Sequence, residues 1–263
     1  MPGESDQNMN QSNRNDRCPC CILWRSAVPR RPNTNTSSTS QSAPSIDFGN
    51  FYVLRNANVW TLEDNSNSSS VLDIWVSRGK IVSMVPPSAA RSMCPSIPGL
   101  KEIDMRGLDI VPGFVDIHVH AIGGGGEDSF GSRTPEACLE ELVEAGVTTF
   151  VGILGTDTVG RNMESLIAKT RALSEKGLTG RVWLGGYAFP IENTVTGSVR
   201  KDLTMLPDVI GVGELAISDH RSSFPTTDDL LKLCSEVRVA GMVSGNAGVT
   251  YFHMGDNETA LQP

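Results

Sequence analysis

The amino-acid sequence predicts an α/β protein in which a small β domain precedes a parallel sheet. From residue 108 to residue 263, short apolar runs alternate with amphipathic stretches, the pattern of parallel strands joined by crossover helices. Between residues 48 and 107, short β-type runs are separated by Asn, Ser, Gly and Pro, which predicts a small β-sandwich. Residues 1–47 are rich in Ser, Thr, Asn, Gln and Pro and lack apolar periodicity, so we expect a disordered tail.

Composition excludes several classes of protein. The 263 residues are 39% hydrophobic, enough to bury a substantial core. The formal charge of −8, without a basic stripe, argues against nucleic acid as a partner. No apolar run approaches a membrane span, and the N-terminus lacks the order of a secretory signal. We expect a cytoplasmic protein that does not bind membranes, with organelle targeting by the arginines of the tail as the alternative.

The six cysteines are too few and too scattered for a disulfide scaffold in a chain of this length, so reduced thiols are expected. Three of them form the tail cluster Cys18-Pro-Cys20-Cys21. This cluster could bind a soft metal, but it has no second pair at zinc-finger spacing. We interpret it as incidental.

The β domain is predicted to contain five short strands. They are Phe51–Leu54, Asn58–Leu62, Val71–Val76, Lys80–Val85 and Lys101–Met105. Ser77-Arg-Gly-Lys80 has turn chemistry and predicts a hairpin between the third and fourth of them.

The parallel sheet is also predicted to have about five strands. They are Ile110–His118, Val147–Leu154, Val182–Tyr187, Val209–Leu215 and Val249–His253, with helices at Thr134–Ala145, Met163–Lys176 and Thr227–Val239. Thr134 followed by Pro135 predicts an N-cap, and Gly146 predicts the end of that helix. A closed barrel of this kind needs eight strands. The chain therefore encodes either an open sheet or part of a barrel.

His118 and His120 end the first strand of this sheet. Side chains two residues apart on a strand point to the same side, so both imidazoles face one point in space. Imidazole is the commonest protein ligand for Zn²⁺, and the pair predicts a metal site. The alternative is two surface histidines at a strand end.

Four consecutive glycines and Glu127 follow the histidines. Glycine lets the backbone approach a ligand closely, so Gly125 and Gly126 are candidate substrate-binding residues in an anion cradle. Glu127 lies seven residues after His120, which predicts a carboxylate beside the metal. The alternative is a flexible loop.

Several separated motifs carry a resemblance to a known family. Pro112-Gly-Phe-Val-Asp-Ile-His-Val-His120 resembles the signature of the metal-dependent amidohydrolase superfamily. Further stretches look like isoaspartyl (β-aspartyl) dipeptidase: Gly123-Gly-Gly-Gly-Glu127, Leu154-Gly-Thr-Asp157, Thr196-Gly-Ser-Val199, Ile217-Ser-Asp-His-Arg221 and Phe252-His-Met-Gly-Asp256. The resemblance runs from about residue 52 to the last residue and covers the N-terminal part of that family's domain.

The resemblance implies a (β/α)₈ barrel, here partial, that carries two Zn²⁺ ions and forms homo-oligomers. His118 and His120 would bind the more buried zinc, and His253 the second. Seven residues before Arg221 the family commonly has a carboxylated lysine that bridges the metals, whereas this chain has Glu214. A glutamate supplies the same two oxygens, and we expect Glu214 to be the bridge; the alternative is a core-edge acid in a salt bridge.

The resemblance also implies a small peptide substrate, a β-aspartyl dipeptide. Glu127 would bind its α-amino group, and Arg221 and Thr156 would hold its carboxylate or amide groups. Tyr187 would polarise the scissile carbonyl, since a phenol can donate a hydrogen bond to a developing oxyanion. We expect His220 to orient Arg221 rather than to bind zinc.

The family's remaining functional groups lie in strands after the fifth. They are the second metal's other histidine, a further arginine and the aspartate that acts as general acid and base. We therefore expect a truncated and inactive chain, which leaves open whether it is itself an enzyme. One alternative is a short non-catalytic product that co-assembles with full-length subunits. Another is an amidohydrolase of other cyclic-amide or N-acyl substrates, which the glycine run and the Ser-Asp-His-Arg221 motif disfavour.

Overall fold

The computed structural model describes residues 51–60, 69–93, 97 and 99–258. The predicted tail, with its cysteine cluster, lies outside these residues. Gly49–Pro263 belong to one compact unit, and its described part contains two five-stranded sheets. Among the described residues, no helix is long and apolar enough to cross a membrane. The boundaries predicted at residues 48 and 108 stay predictions, as does the β-sandwich.

The first sheet is mixed, with the strand order β3-β2-β1-β4 and β5 also paired with β1. Its strands are β1 (Phe51–Trp60), β2 (Ser69–Ser77), β3 (Lys80–Val85), β4 (Lys101–Asp104) and β5 (Asp109–Ile110). The predicted hairpin is confirmed, because Ser77 pairs with Lys80 across Arg78 and Gly79, which both have positive φ. Helix α1 (Pro87–Met93), which the sequence analysis missed, packs Ala90 against this sheet.

The second sheet is parallel throughout and forms a curled half-barrel with the order β10-β9-β8-β7-β6. Its strands are β6 (Phe114–Val119), β7 (Val147–Gly152), β8 (Thr179–Leu184), β9 (Val209–Ile217) and β10 (Val249–Met254). Strand β9, which lies between β10 and β8, is almost entirely buried, as its continuous apolar run predicts for a strand covered on both faces. The predicted α/β class and the five parallel strands are confirmed.

Four helices accompany the second sheet: α2 (Leu139–Glu144), α3 (Met163–Glu175), α4 (Val199–Met205) and α5 (Thr227–Ser244). Helix α3 begins at Asn162, whose side chain accepts a hydrogen bond from the Ser165 N–H. Helix α5 begins with a capping box of Thr226 and Asp229 and ends at Gly245 in the left-handed conformation. Local capping chemistry thus explains why the two long helices begin and end where they do.

The predicted elements differ from the structure at several places. The run predicted as one strand from Ile110 to His118 is divided between β5 and β6, because Pro112 has no N–H to donate to a ladder. The separate strands predicted at residues 51–54 and 58–62 are one strand within the described residues, with a bulge between Leu54 and Ala57. Helix α4 was not predicted.

The helix predicted from Thr134 begins five residues later. Cys138 is the N-cap of α2, and Thr134 lies in a loop. There the Thr134 hydroxyl accepts a hydrogen bond from the Gly124 N–H at 2.7 Å, and the Thr134 N–H donates to the Gly124 carbonyl at 2.9 Å. The prediction of this N-cap is wrong because a loop contact uses the hydroxyl. Gly146 follows the helix with positive φ, as predicted.

Candidate metal centre

The second sheet brings the predicted ligands to one edge. His118 lies near the end of β6, His120 directly after it, Glu214 in β9 and His253 in β10. Because the carboxyl ends of parallel strands meet at the same edge, residues far apart in sequence converge there. The convergence of these four side chains is observed.

Three of them form a compact group. His118 Nε2 lies 3.3 Å from His120 Nε2 and 3.5 Å from Glu214 Oε1. All three ligand atoms lie within 4.8 Å of one another. Two ligands on a tetrahedral zinc ion, with bonds of about 2.0–2.1 Å, are roughly 3.4 Å apart. The spacing and donor types of this trio therefore fit a divalent metal ion.

His120 is held in the form that binds metal. Burial, and then the neighbouring His118 imidazole, lower the pKa of the His120 imidazole and favour its neutral state. A Cβ added at Gly155 would lie 2.7 Å from His120 Cε1, and one at Gly124 would lie 3.1 Å from His120 Cγ. Gly124 of the glycine run and Gly155 thus leave room for this histidine, and the predicted approach of the run to a ligand stays a prediction.

Glu214 contacts histidines on both sides. Its side chain is buried; Oε1 faces His118, and Oε2 lies 3.1 Å from His253 Nδ1. Within the described residues, the ion-pair partners of Glu214 are these two histidines. Two carboxylate oxygens directed at different histidines are the arrangement that a bridging ligand requires.

His253 lies beyond Glu214 and is not a member of the trio. Its Nδ1 contacts Glu214 and, at 3.0 Å, the Tyr187 hydroxyl. Its Nε2 lies 3.1 Å from both Asp219 Oδ2 and Arg221 Nη2. The hydrogen bond with Glu214 raises the pKa of His253. The structure therefore places His253 beside the trio, within reach of the predicted substrate residues.

Arg221 is fixed by two acids. It donates to Asp219 from its backbone N–H, Nε and Nη2, and Nη1 lies 3.0 and 2.9 Å from the two oxygens of Glu127. These hydrogen bonds lower the pKa of Asp219 and raise that of Arg221. Asp219, not His220, binds the guanidinium, so the prediction that His220 orients Arg221 is wrong; His220 Nδ1 lies 3.1 Å from Asp256 Oδ1 and 3.6 Å from Asp219 Oδ1.

The predicted substrate residues form one cluster beside the trio. The Thr156 hydroxyl donates to Glu127 Oε1 at 2.5 Å, and the Arg221 guanidinium lies 5.0 Å above the Tyr187 ring. The two predicted glycines, Gly125 and Gly126, make hydrogen bonds to residues outside this cluster. The Gly126 N–H donates to Ser132 Oγ, and the Gly125 carbonyl accepts from Arg161. Substrate binding by these two glycines stays a prediction.

Sequence reasoning missed three residues: Asp219, Arg161 and Tyr251. Arg161 is buried and donates to the carbonyls of Ile122, Gly124 and Gly125 and to Asp157. No periodicity reveals such a buried cation. Tyr251 was detectable, because it lies two residues before His253 on β10 and therefore on the same side of the strand.

The described residues contain a second group with metal-ligand spacing, formed by Asp219, His220 and Asp256. Asp219 is already bound to Arg221, and the other two side chains are exposed. Surface acids of this kind are common without an ion. The first group is therefore the candidate centre.

Comparison with known proteins points in the same direction. No protein-family model matches the chain. The β-aspartyl dipeptidase of Fervidobacterium islandicum, solved in complex with the dipeptide β-Asp-Leu, is 37% identical with a TM-score of 0.71. That match covers 80% of this chain and 53% of that enzyme.

Two more distant relatives share the superfamily or the fold. A dihydroorotase of Shouchella clausii is 26% identical over 179 residues, which are 68% of this chain and 38% of that protein. The L-hydantoinase of Arthrobacter aurescens is 18% identical with a TM-score of 0.50, over 79% of this chain and 41% of that one, a likeness of fold alone. The chain thus spans about half the length of the solved dipeptidase and less of the others. In sequence and fold it resembles the β-aspartyl dipeptidases of the amidohydrolase superfamily.

Proposed function

We propose that this chain carries the metal-binding and substrate-binding residues of a hydrolase that cleaves β-aspartyl dipeptides. The observation that carries the proposal is the position of Glu214, whose two oxygens face His118 and His253. The Glu127–Arg221 pair beside it supplies charges for a zwitterionic substrate. The similarity to a dipeptidase solved with β-Asp-Leu supports the same reading.

His118, His120 and Glu214 would hold one divalent metal ion, and Glu214 with His253 would contribute to a second. Imidazole nitrogen and carboxylate oxygen are donors that suit Zn²⁺. When bound, the metal supplies Lewis-acid chemistry that polarises an amide carbonyl and acidifies water. Glu214 places a negative charge between the two positions, which favours a pair of cations there.

The substrate class follows from the charges that lie next to the trio. In a β-aspartyl dipeptide the α-ammonium and α-carboxylate of the first residue are both free, whereas an ordinary peptide bond consumes that carboxylate. The Glu127 carboxylate complements the ammonium, and the Arg221 guanidinium complements the carboxylate in a fork. Thr156 holds Glu127 in place.

Tyr187 is placed to act on the scissile carbonyl. Its ring is buried beneath the Arg221 guanidinium, and its hydroxyl lies 3.0 Å from His253 Nδ1. A phenol held in this way donates a hydrogen bond to an oxygen on which negative charge develops. Homo-oligomerisation and inactivity of the chain as written stay predictions from the resemblance, and a cytoplasmic location stays a prediction from the composition.

The test compares ligands on the zinc-loaded protein by equilibrium binding. We expect β-Asp-Leu to bind more tightly than α-Asp-Leu or dihydroorotate. Glu127→Gln should weaken β-Asp-Leu binding by about 10–100-fold, because it removes a charge-assisted hydrogen bond. Glu144→Gln, an exposed acid on α2, is the matched control. Equal binding of the two Asp-Leu isomers would contradict the proposal.

A further inference from the structure

Tyr251 contacts the candidate metal centre from the side opposite the ligand atoms. Its hydroxyl lies 2.9 Å from His118 Nδ1, and the two rings meet edge to face at an interplanar angle of 89°. The other nitrogen of His118, Nε2, faces His120 and Glu214. One imidazole therefore has a protein partner on one nitrogen and the candidate metal position on the other.

We propose that Tyr251 is a positioning residue for the metal centre, which accepts the Nδ1–H of His118 and so presents the Nε2 lone pair to the metal. The inference rests on the proposed metal site and adds a residue to it. A neutral imidazole carries one proton, and a hydrogen bond at one nitrogen decides which nitrogen keeps it. Such outer partners fix the ring and raise the basicity of the ligating nitrogen.

The Tyr251 ring is itself held in place by its neighbours. It packs at 5.3 Å against the Trp183 ring, and the Trp183 indole N–H donates to the Ile117 carbonyl at 2.9 Å. A Cβ added at Gly213 would lie 2.7 Å from Tyr251 Cβ, so only glycine leaves room for this strand to pack here. A ring fixed on two sides can orient His118, which a mobile surface tyrosine could not do.

The contact also joins the two ends of the sheet. His118 is on β6 and Tyr251 is on β10, the first and last strands in the order β10-β9-β8-β7-β6. Because the sheet is curled, side chains from its opposite edges meet across the concave face. The hydrogen bond thus couples the position of a metal ligand to the curvature of the sheet.

The alternative is an ordinary core aromatic whose hydroxyl does nothing for the metal. Tyr251→Phe distinguishes the two roles, because it keeps the ring and its packing and removes one oxygen. We expect the variant to bind Zn²⁺ about 10–100-fold more weakly in competition with a chromogenic chelator. We also expect an altered visible spectrum with Co²⁺. Tyr52→Phe, in the first sheet, is the matched control and should bind as the wild type does.

The outcomes separate this inference from the function on which it rests. Wild-type affinity in Tyr251→Phe would overturn the role of Tyr251 and leave the metal site standing. Failure of the wild-type protein to bind Zn²⁺ would overturn both. If the variant does not fold, nitrogen NMR of histidine-labelled wild-type protein without metal decides: we expect the His118 proton on Nδ1, and a proton on Nε2 would overturn the proposal.

Discussion

Among the residues of the site, Glu214 is the one whose buried charge most restricts which partners the site can contain. A buried carboxylate is costly unless it is paired and hydrogen-bonded. Among the described residues its side-chain partners within ion-pair distance are His118 and His253. Its negative charge can therefore be balanced either by a protonated His253 or by metal ions. In the metal-free protein Glu214 therefore relies on protonated His253, so the stability of that form depends on pH.

The first prediction concerns that dependence. The hydrogen bond with Glu214 raises the pKa of His253 above its ordinary value of 6.5. The stability from this contact is fully present below pH 6.5 and is lost as the pH rises through the raised pKa. In urea unfolding with a chelator present, the wild-type protein should lose stability from pH 6.5 upwards. His253→Gln should lose less over that range. Equal losses of stability in the two proteins would show that the contact between His253 and Glu214 does not cause the pH dependence.

Sequence reasoning found the site residues whose positions follow a local rule. His118 and His120 follow from the two-residue period of a strand. Glu214 was found by its distance from Arg221 within a resembling motif. Asp219 stands in the same motif, but its role was assigned to His220 because sequence order does not show which neighbour folds back onto the guanidinium.

At the element scale, the loop between β6 and α2 carries the candidate substrate residue Glu127 without being a regular helix or strand. It is held by side chains at its own end and by Arg161 from the segment after β7. The helix predicted there was wrong at its start because Thr134 bonds to Gly124 and not to its own first turn. Local propensity favoured the helix, and hydrogen bonds from elsewhere in the fold decided against it.

The second prediction is that Arg161 determines the stability of this loop. Arg161→Gln would remove the Arg161 donor from the Ile122 and Gly125 carbonyls and from Asp157, and would leave the Gly124 carbonyl with the Thr134 N–H as its donor, so we expect a loss of roughly 2–4 kcal/mol in urea unfolding. Arg133→Gln is the control, because Arg133 binds the same Asp157 at 2.7 Å but is half-buried; it should lose no more than about 1 kcal/mol. Equal losses of stability in the two variants would show that Arg161 stabilises the protein through its ion pair with Asp157, and not through its hydrogen bonds to the loop carbonyls.

At the scale of the whole molecule, the parallel sheet and its curl have different origins. The five strands were predictable, because alternation of apolar runs with capped helices is a local signal. The curl of the sheet was not predictable from the sequence, because it depends on contacts between strands that are not neighbours. Trp183 of β8 donates to β6, and Tyr251 of β10 reaches His118 on β6. The candidate metal centre and His253 beside it lie where this curvature brings β6, β9 and β10 together.

Anomalous diffraction at the zinc absorption edge, from crystals of the zinc-loaded protein, would show whether the curved sheet holds a metal ion at this position. We expect an anomalous peak within bonding distance of His118 Nε2, His120 Nε2 and Glu214 Oε1. A peak at Asp219, His220 and Asp256 in its place, or no peak at the histidine pair, would contradict it.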